Sequence, residues 1–208
     1  MKREDLALIY HSGGERAVVG IAQITGSPYP DPDLKKPGEW LQVDLKPIQA
    51  LKIPPGQRGD PSRSLDTPEG VGDRLRSAAF AEIQAREAFL WAARHYEDAS
   101  FDLKNSWIQL SQAENRHLHW LLDRMTALKI EVRSRKVSDH LWRSLVTCKS
   151  AREFAVYMAS AEERGRQAGV KFHQALKAHD PITAEIFKKI ADEEVSHIAL
   201  AEKHFPAH

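Results

Sequence analysis

Ile190–Ala201, IADEEVSHIALA, holds Glu194 and His197 three positions apart. On a helix, residues three apart share a face, so this carboxylate and imidazole point the same way. Ile186, Ile190, Ile198 and Ala201 recur at spacings that put them on that face too. A Glu and a His are therefore aimed into a core, where an uncompensated charge is costly.

Reading outward, a second Glu-x-x-His stands at Glu114-Asn115-Arg116-His117, on the stripe Leu103, Trp107, Leu110, Glu114, His117, Leu121, Met125. Each motif is preceded by a core-facing glutamate, Glu82 and Glu162, and the separation is 32 residues in both halves (82 to 114 and 162 to 194). One Glu from each of two helices, with a Glu-x-x-His from each of two others, is the ligand set of a dinuclear carboxylate site in a helical bundle. Sixteen glutamates and ten histidines in this length give roughly one Glu-x-x-His by chance, so the motif alone says little. The weight lies in the conjunction of core faces, partner glutamates and equal separations.

Each residue has a plainer alternative. Glu82, on the stripe Leu75, Ala78, Ala79, Phe89, Ala93, could pair with Arg86, and either His could be an ordinary core histidine. Glu162 is chosen over Glu163 because Ala155, Met158, Ala159, Gly165 and Gly169 mark its face. Glu194 is chosen over Glu193 because only Glu194 stands three residues before His197. Gly165 and Gly169 leave either open space beside the site or room for close helix packing. Trp107 is expected to pack, with a place on an electron path as the alternative. His95, His119, His140, His173, His179, His204 and His208 lack a paired geometry. The donor set of Glu82, Glu114, His117, Glu162, Glu194 and His197 suits two iron ions, or manganese and iron, better than copper, and the lack of thiolates argues against tetrahedral zinc.

The rest of the chain is consistent with this. Its 42% hydrophobic and 28% charged residues suit a globular protein with a sizeable core. A net charge of +1 gives no global pull toward nucleic acid or membrane. Cys148 is the only cysteine, which excludes an intramolecular disulfide and points to a reducing compartment. MKREDLALIYHSGG is not a signal peptide, and nothing approaches the ~20 apolar residues of a membrane span. A cytoplasmic location is expected.

Residues 1–50 read as a small β segment. Leu6–His11 and Ala17–Ile24 are strands joined by a turn at Ser12–Arg16; a Pro/Asp-rich turn at Gly26–Asp33 leads to a third strand, Trp40–Leu45. Residues 51–66 read as a linker, in which Arg58-Gly59-Asp60 is a turn. Residues 67–208 read as four long helices. Thr67-Pro68 opens the first, running to about Ala99; Asp102 caps the second, to about Leu128. A connection with a short helix near Asp139–Val146 leads to a capping box at Ser150–Glu153 and a third helix to about Ala178. Asp180-Pro181 opens the fourth, ending near His204. The expected fold is mostly α: a ferritin-like four-helix bundle with its long crossover between the second and third long helices, preceded by a small antiparallel β segment.

Two resemblances add to this. LALIYHSGGERAVVGIAQITGSPYPDPD with EWLQVDLKPIQAL (residues ~6–50) resembles the middle of the EVE domain, a PUA-like fold associated with modified bases in nucleic acids. The strands before and after that portion are missing, so no binding residue is carried over. AFAEIQAREAF, SQAENRHLHWL, SAEERGRQAG and IFKKIADEEVSHIALAEKHF, within residues ~52–208, resemble an uncharacterised ferritin-like family known as a domain of unknown function. That resemblance implies a di-iron carboxylate fold with the same six residues as ligands, and it supplies no substrate.

Three functions stay open. The favoured one is an oxygen-dependent oxidase or oxygenase whose partners are oxygen and a small molecule. The second is a nucleic-acid-linked enzyme, since ferritin-like proteins include a tRNA hydroxylase. Against it, residues 1–60 hold eight basic and eight acidic residues, no surplus for phosphates. The third is a non-catalytic iron-handling or structural bundle. A homodimer is compatible with all three.

Overall fold

The computed structural model describes residues 4–11, 17–30, 41–50 and 59–206. The chain divides into two compact units, Met1–Gln57 and Arg58–His208.

In the first unit, strands β1 (Leu6–His11) and β2 (Ala17–Ile24) pair antiparallel, with Leu6 opposite Gln23. Two further short strands, β3 (Tyr29–Pro30) and β4 (Leu41–Gln42), form a separate antiparallel pair. The third strand of the main sheet is β5 (Leu45–Ala50), which gives the order β1-β2-β5. The expected single strand Trp40–Leu45 is thus replaced by β4 and β5, broken at Val43-Asp44. Asp44 explains the break: its carbonyl accepts from the Thr25 backbone N–H at 3.0 Å, and its carboxylate accepts from the Tyr29 hydroxyl at 3.0 Å. Pro47 hid β5 from a pattern reading. It is tolerated because β5 is an edge strand, and the register of its pairing with β2 shifts at Ile21/Ala22 beside it. The Ser12–Arg16 turn, Asp31–Trp40 and residues 51–58 lie outside the described residues.

The second unit is helical: α1 (Pro68–His95), α2 (Phe101–Ala127), the short α3 (His140–Leu145), α4 (Ala151–Leu176) and α5 (Pro181–His204). The ends follow local chemistry. Thr67 Oγ1 accepts from Gly70 N with Pro68 at the first helical position, and Asp180 accepts from Thr183 N ahead of Pro181. α1 stops at His95, earlier than expected, because Tyr96 turns extended and its hydroxyl donates to the Cys148 carbonyl at 2.9 Å. Ser100, not Asp102, caps α2 by accepting from Leu103 N. At Ser150 the hydroxyl caps Glu153 N as expected, but the Glu153 carboxylate reaches back to Lys149 N, one residue early. α2 ends in a Schellman motif, with Ile130 N donating to Met125 O and Lys129 at φ 54°.

α1 packs chiefly on α2 and α4 on α5, while α1–α4 and α2–α5 contacts close the four long helices around a common interior. That interior has two apolar layers. Leu75, Leu121, Met125, Leu176, Ala184 and Phe187 form one. Aromatic side chains form the other: Trp107 lies 5.2 Å from Phe154 and 6.2 Å from Tyr96, and Phe154 meets Phe89 at 6.2 Å. Trp107 therefore packs, as expected.

The long connection between α2 and α4 is fastened to α1 by buried polar residues. Gln84 donates to Ser138 O and accepts from Trp142 N. Arg76 donates to the carbonyls of Glu131 and Val132, and to Asp73 at 3.1 Å. Asp73, 4% exposed, also accepts from the backbone N, Nε and Nη2 of Arg63. This holds residues 59–66 against α1, with Asp60 bonded to the backbone of Lys136. A Cβ at Gly70 would lie 1.7 Å from Ser64 O, so only glycine admits this approach.

The Arg63 guanidinium holds the Asp73 carboxyl well below the usual carboxylate range. A depressed folded-state value contributes stability above the unfolded value, lost as pH falls through the folded one. Asp73→Asn should therefore cost about 3 kcal/mol at pH 7, chiefly by leaving the buried Arg76 charge unpaired. Its urea midpoint should also fall less steeply than the wild type's between about pH 5 and pH 2. Equal slopes for the two proteins would show that Asp73 is not the acid-labile group.

Candidate metal centre

Between the two apolar layers each long helix turns one carboxylate inward: Glu82 from α1, Glu114 from α2, Glu162 from α4 and Glu194 from α5. His117 follows Glu114 by one turn of α2, and His197 follows Glu194 by one turn of α5. The structure brings all six together as two overlapping groups. Ligand atoms of Glu82, Glu114, His117 and Glu194 lie within 4.8 Å of one another, as do those of Glu114, Glu162, Glu194 and His197. Glu114 and Glu194 belong to both groups. Glu82 with His117 closes one end, and Glu162 with His197 the other.

The cluster is dry. Glu114 and His117 expose nothing, Glu194 3% and His197 6%. His197 Nδ1 stands 2.9 Å from Glu114 Oε1 and 3.1 Å from Glu194 Oε2. His117 Nδ1 stands 3.3 Å from Glu194 Oε1, 3.4 Å from Glu82 Oε2 and 3.5 Å from Glu114 Oε2. These approaches lack hydrogen-bond geometry. Both Glu114 oxygens, Glu162 Oε1, Glu194 Oε2 and both Nδ1 atoms are buried without a hydrogen-bond partner. Buried orphan acceptors of this kind normally cost ~1–3 kcal/mol each, so six converging on one point mark a place built for something else. A cation fits: every orphan is a hard oxygen or an imidazole nitrogen, and all face inward.

The protons divide accordingly. Burial pushes the Glu82 and Glu162 carboxyls well up, and the neighbouring Glu114 charge adds to this. Burial also pushes Glu114 and Glu194 upward, but His117 and His197 outweigh it and hold both low. The same carboxylates overcome desolvation of the rings and raise His117 to about 12 and His197 to about 9. Two carboxyls held low, two raised imidazoles and two raised carboxyls thus face one another in the cluster.

Sequence reasoning passed over Glu193. Its Oε2 lies 3.1 Å from His117 Nε2 and 3.2 Å from Arg116 Nη2. With Nε2–H donating outward to Glu193, His117 turns Nδ1 toward the cluster, where it would offer a lone pair to a cation on losing its proton, the outer-shell arrangement that fixes ligating histidines. Glu193→Ala should weaken metal binding ~10–100-fold in a competition titration against a chelator, while two sites per chain remain. Unchanged affinity would reduce Glu193 to a surface partner of Arg116.

The plainer alternatives resolve as follows. Arg86 pairs with Glu87 and Asn115, leaving Glu82 to the cluster. Glu163 pairs with Arg166 outside it, and Arg166 holds its carboxyl down at about 2. Gly169 serves packing, since a Cβ there would stand 3.2 Å from Phe187 O, whereas a Cβ at Gly165 would meet nothing within 4 Å. His119, His173 and His179 bond to backbone carbonyls away from the cluster. His208 lies outside the described residues. No helix among the described residues is long and apolar enough to cross a membrane.

A family model described as "Protein of unknown function (DUF455)" matches residues 42–207, and an EVE domain model matches residues 1–57. No curated protein matches the chain.

Proposed function

The chain belongs to the DUF455 family, and we propose that its helical unit is a ferritin-like bundle holding two iron ions, or manganese and iron, for an oxygen-dependent oxidation of a small molecule. One observation carries this reading. Two groups of four possible ligands share Glu114 and Glu194, and six of their atoms, from Glu114, His117, Glu162, Glu194 and His197, are buried without hydrogen bonds. Glu114 and Glu194 would serve both ions, with Glu82 and His117 completing the ligands of one and Glu162 and His197 those of the other. Two divalent ions balance four carboxylates with neutral imidazoles, so the buried site is neutral when loaded. Oxygen and carboxylate-rich donors suit iron and manganese, and a pair of such ions supplies redox chemistry with dioxygen. The chain's own residues flank the site with two apolar layers and orient His117 through Glu193.

The test is metal content after expression in iron- and manganese-supplemented medium, beside the Glu114→Ala/Glu194→Ala double variant. About two metals per chain in the wild type and fewer than about half of one in the variant are expected. Oxygen uptake by the loaded protein then separates an oxidase from inert iron handling. No metal in either protein would leave a structural polar network and end the enzymatic reading.

A second reading rests on the EVE match over residues 1–57: the first unit would direct the metal centre to nucleic acid, as a hydroxylase of a modified base. RNA retained by the full chain after nuclease treatment would favour it. A nucleic-acid-free preparation that consumes oxygen only with small molecules would favour the first.

A further inference from the structure

A cavity of about 390 Å³ reaches the cluster from the surface between α1 and α4, floored by Glu82, Glu162 and Glu194. Its volume is that of a small-molecule site. The walls are small and apolar: Ala78, Ala81 and Ala85 on α1, with Ala161, Gly165 and Ala168 on α4. The space beside Gly165 is open, since a Cβ there would meet nothing within 4 Å.

The end away from the cluster has a different chemistry. Arg74 lines it with Phe172, the guanidinium carbon 5.7 Å from the ring centroid, and Ser62 and Ser77 stand exposed beside them. Arg74 Nη1 is buried and has no hydrogen-bond partner. Its neighbour Arg76, by contrast, is saturated by Asp73 and backbone carbonyls. The acids that do line the cavity, Glu82, Glu162 and Glu194, are on its floor; from Arg74 to Glu82 is eight residues of helix, ~12 Å of rise. A guanidinium without a partner at one end of an apolar slot is complementary to a planar anion with a hydrocarbon body.

We propose, resting on the dinuclear reading above, that this cavity binds a small aliphatic monocarboxylate, its carboxylate on Arg74 and its apolar end beside Glu82 and Glu162. The opposite orientation is disfavoured because the floor carries the acids. A neutral alcohol of equal length would offer Arg74 one uncharged acceptor in place of a charged, two-oxygen one, and a protonated amine would be repelled by Arg74.

The experiment is calorimetric titration of the full chain, loaded with redox-silent manganese(II) and kept anaerobic, with octanoate, 1-octanol and octylamine. Octanoate should bind at least ~10-fold more tightly than 1-octanol, as a charge-assisted contact gives, and octylamine more weakly still. Arg74→Gln should bring octanoate to the level of 1-octanol, Arg74→Lys should recover part of the difference, and Gly165→Leu should abolish both. Metal content, measured on every sample, is expected to stay at the wild-type value. Equal affinity for octanoate and 1-octanol, or octanoate binding unaffected by Arg74→Gln, overturns the proposal, the latter because the carboxylate would then sit on the metal. Failure of the wild type to hold manganese overturns the dinuclear reading instead, a separate observable; the titration of the metal-free chain then still decides whether Arg74 selects carboxylates.

Discussion

In excess chelator the Glu114→Leu/Glu194→Leu variant should melt above the wild type, and in excess manganese below it. Without metal, the cluster is a liability: buried carboxylates and imidazoliums approach at 2.9–3.5 Å without hydrogen-bond geometry. Replacing such buried charge by apolar side chains of similar volume is often stabilising, by ~1–4 kcal/mol. Leucine at 114 and 194 would extend the layers formed by Leu121 and Met125 on one side and Trp107 and Phe154 on the other. His197 would then lose both carboxylates that raise it, while His117 keeps Glu82 and Glu193 beside its ring. For a unit of this size each kcal/mol moves the melting temperature by ~2–4 °C, so a rise of several degrees is expected. With metal the order inverts, because only the wild type gains ~2.7 kcal/mol per site at a free ion concentration of 100 times Kd. A variant less stable than the wild type under both conditions would mean that the six residues are a structural network.

Metal loading near pH 7 should also release protons, up to ~4 per chain when two ions bind. His117 and His197 are raised to about 12 and about 9 and so carry protons before metal arrives, and burial pushes Glu82 and Glu162 well up in the same direction. A ligating carboxyl or imidazole must give its proton up. The sign follows: raised acids favour the empty state at low pH, and affinity climbs as pH rises toward the value of His197. Calorimetry in buffers of differing ionisation enthalpy reads the number released. Fewer than about one proton per metal would show that the groups are already deprotonated before metal arrives.

Much of this was legible in the chain because helices are periodic. Glu82, Glu114, Glu162 and Glu194, with the two histidines, sit on stripes of apolar residues, and the spacing of 32 in each half follows from two helix hairpins of one design. The strands Leu6–His11 and Ala17–Ile24 were legible through alternation and β-branched content. Strand β5 was not, because Pro47 signals against a strand unless it lies at a sheet edge, and edges are a property of the assembled sheet.

What the amino-acid sequence determined by itself is the inward direction of each cluster residue, since that is set by 3.6-residue periodicity within one helix. What only the tertiary structure decided depends on how helices meet. Glu114 and Glu194 are the shared carboxylates because α2 and α5 are neighbours across the interior. Glu193, about 100° around α5 from Glu194, reaches His117 because α5 packs beside α2. Gly165 opens a cavity and Gly169 seals a contact, though both are glycines one turn apart, because only Gly169 faces the backbone of α5. Periodicity fixes a residue's face; the distance to a partner on another helix is fixed only once the helices have packed.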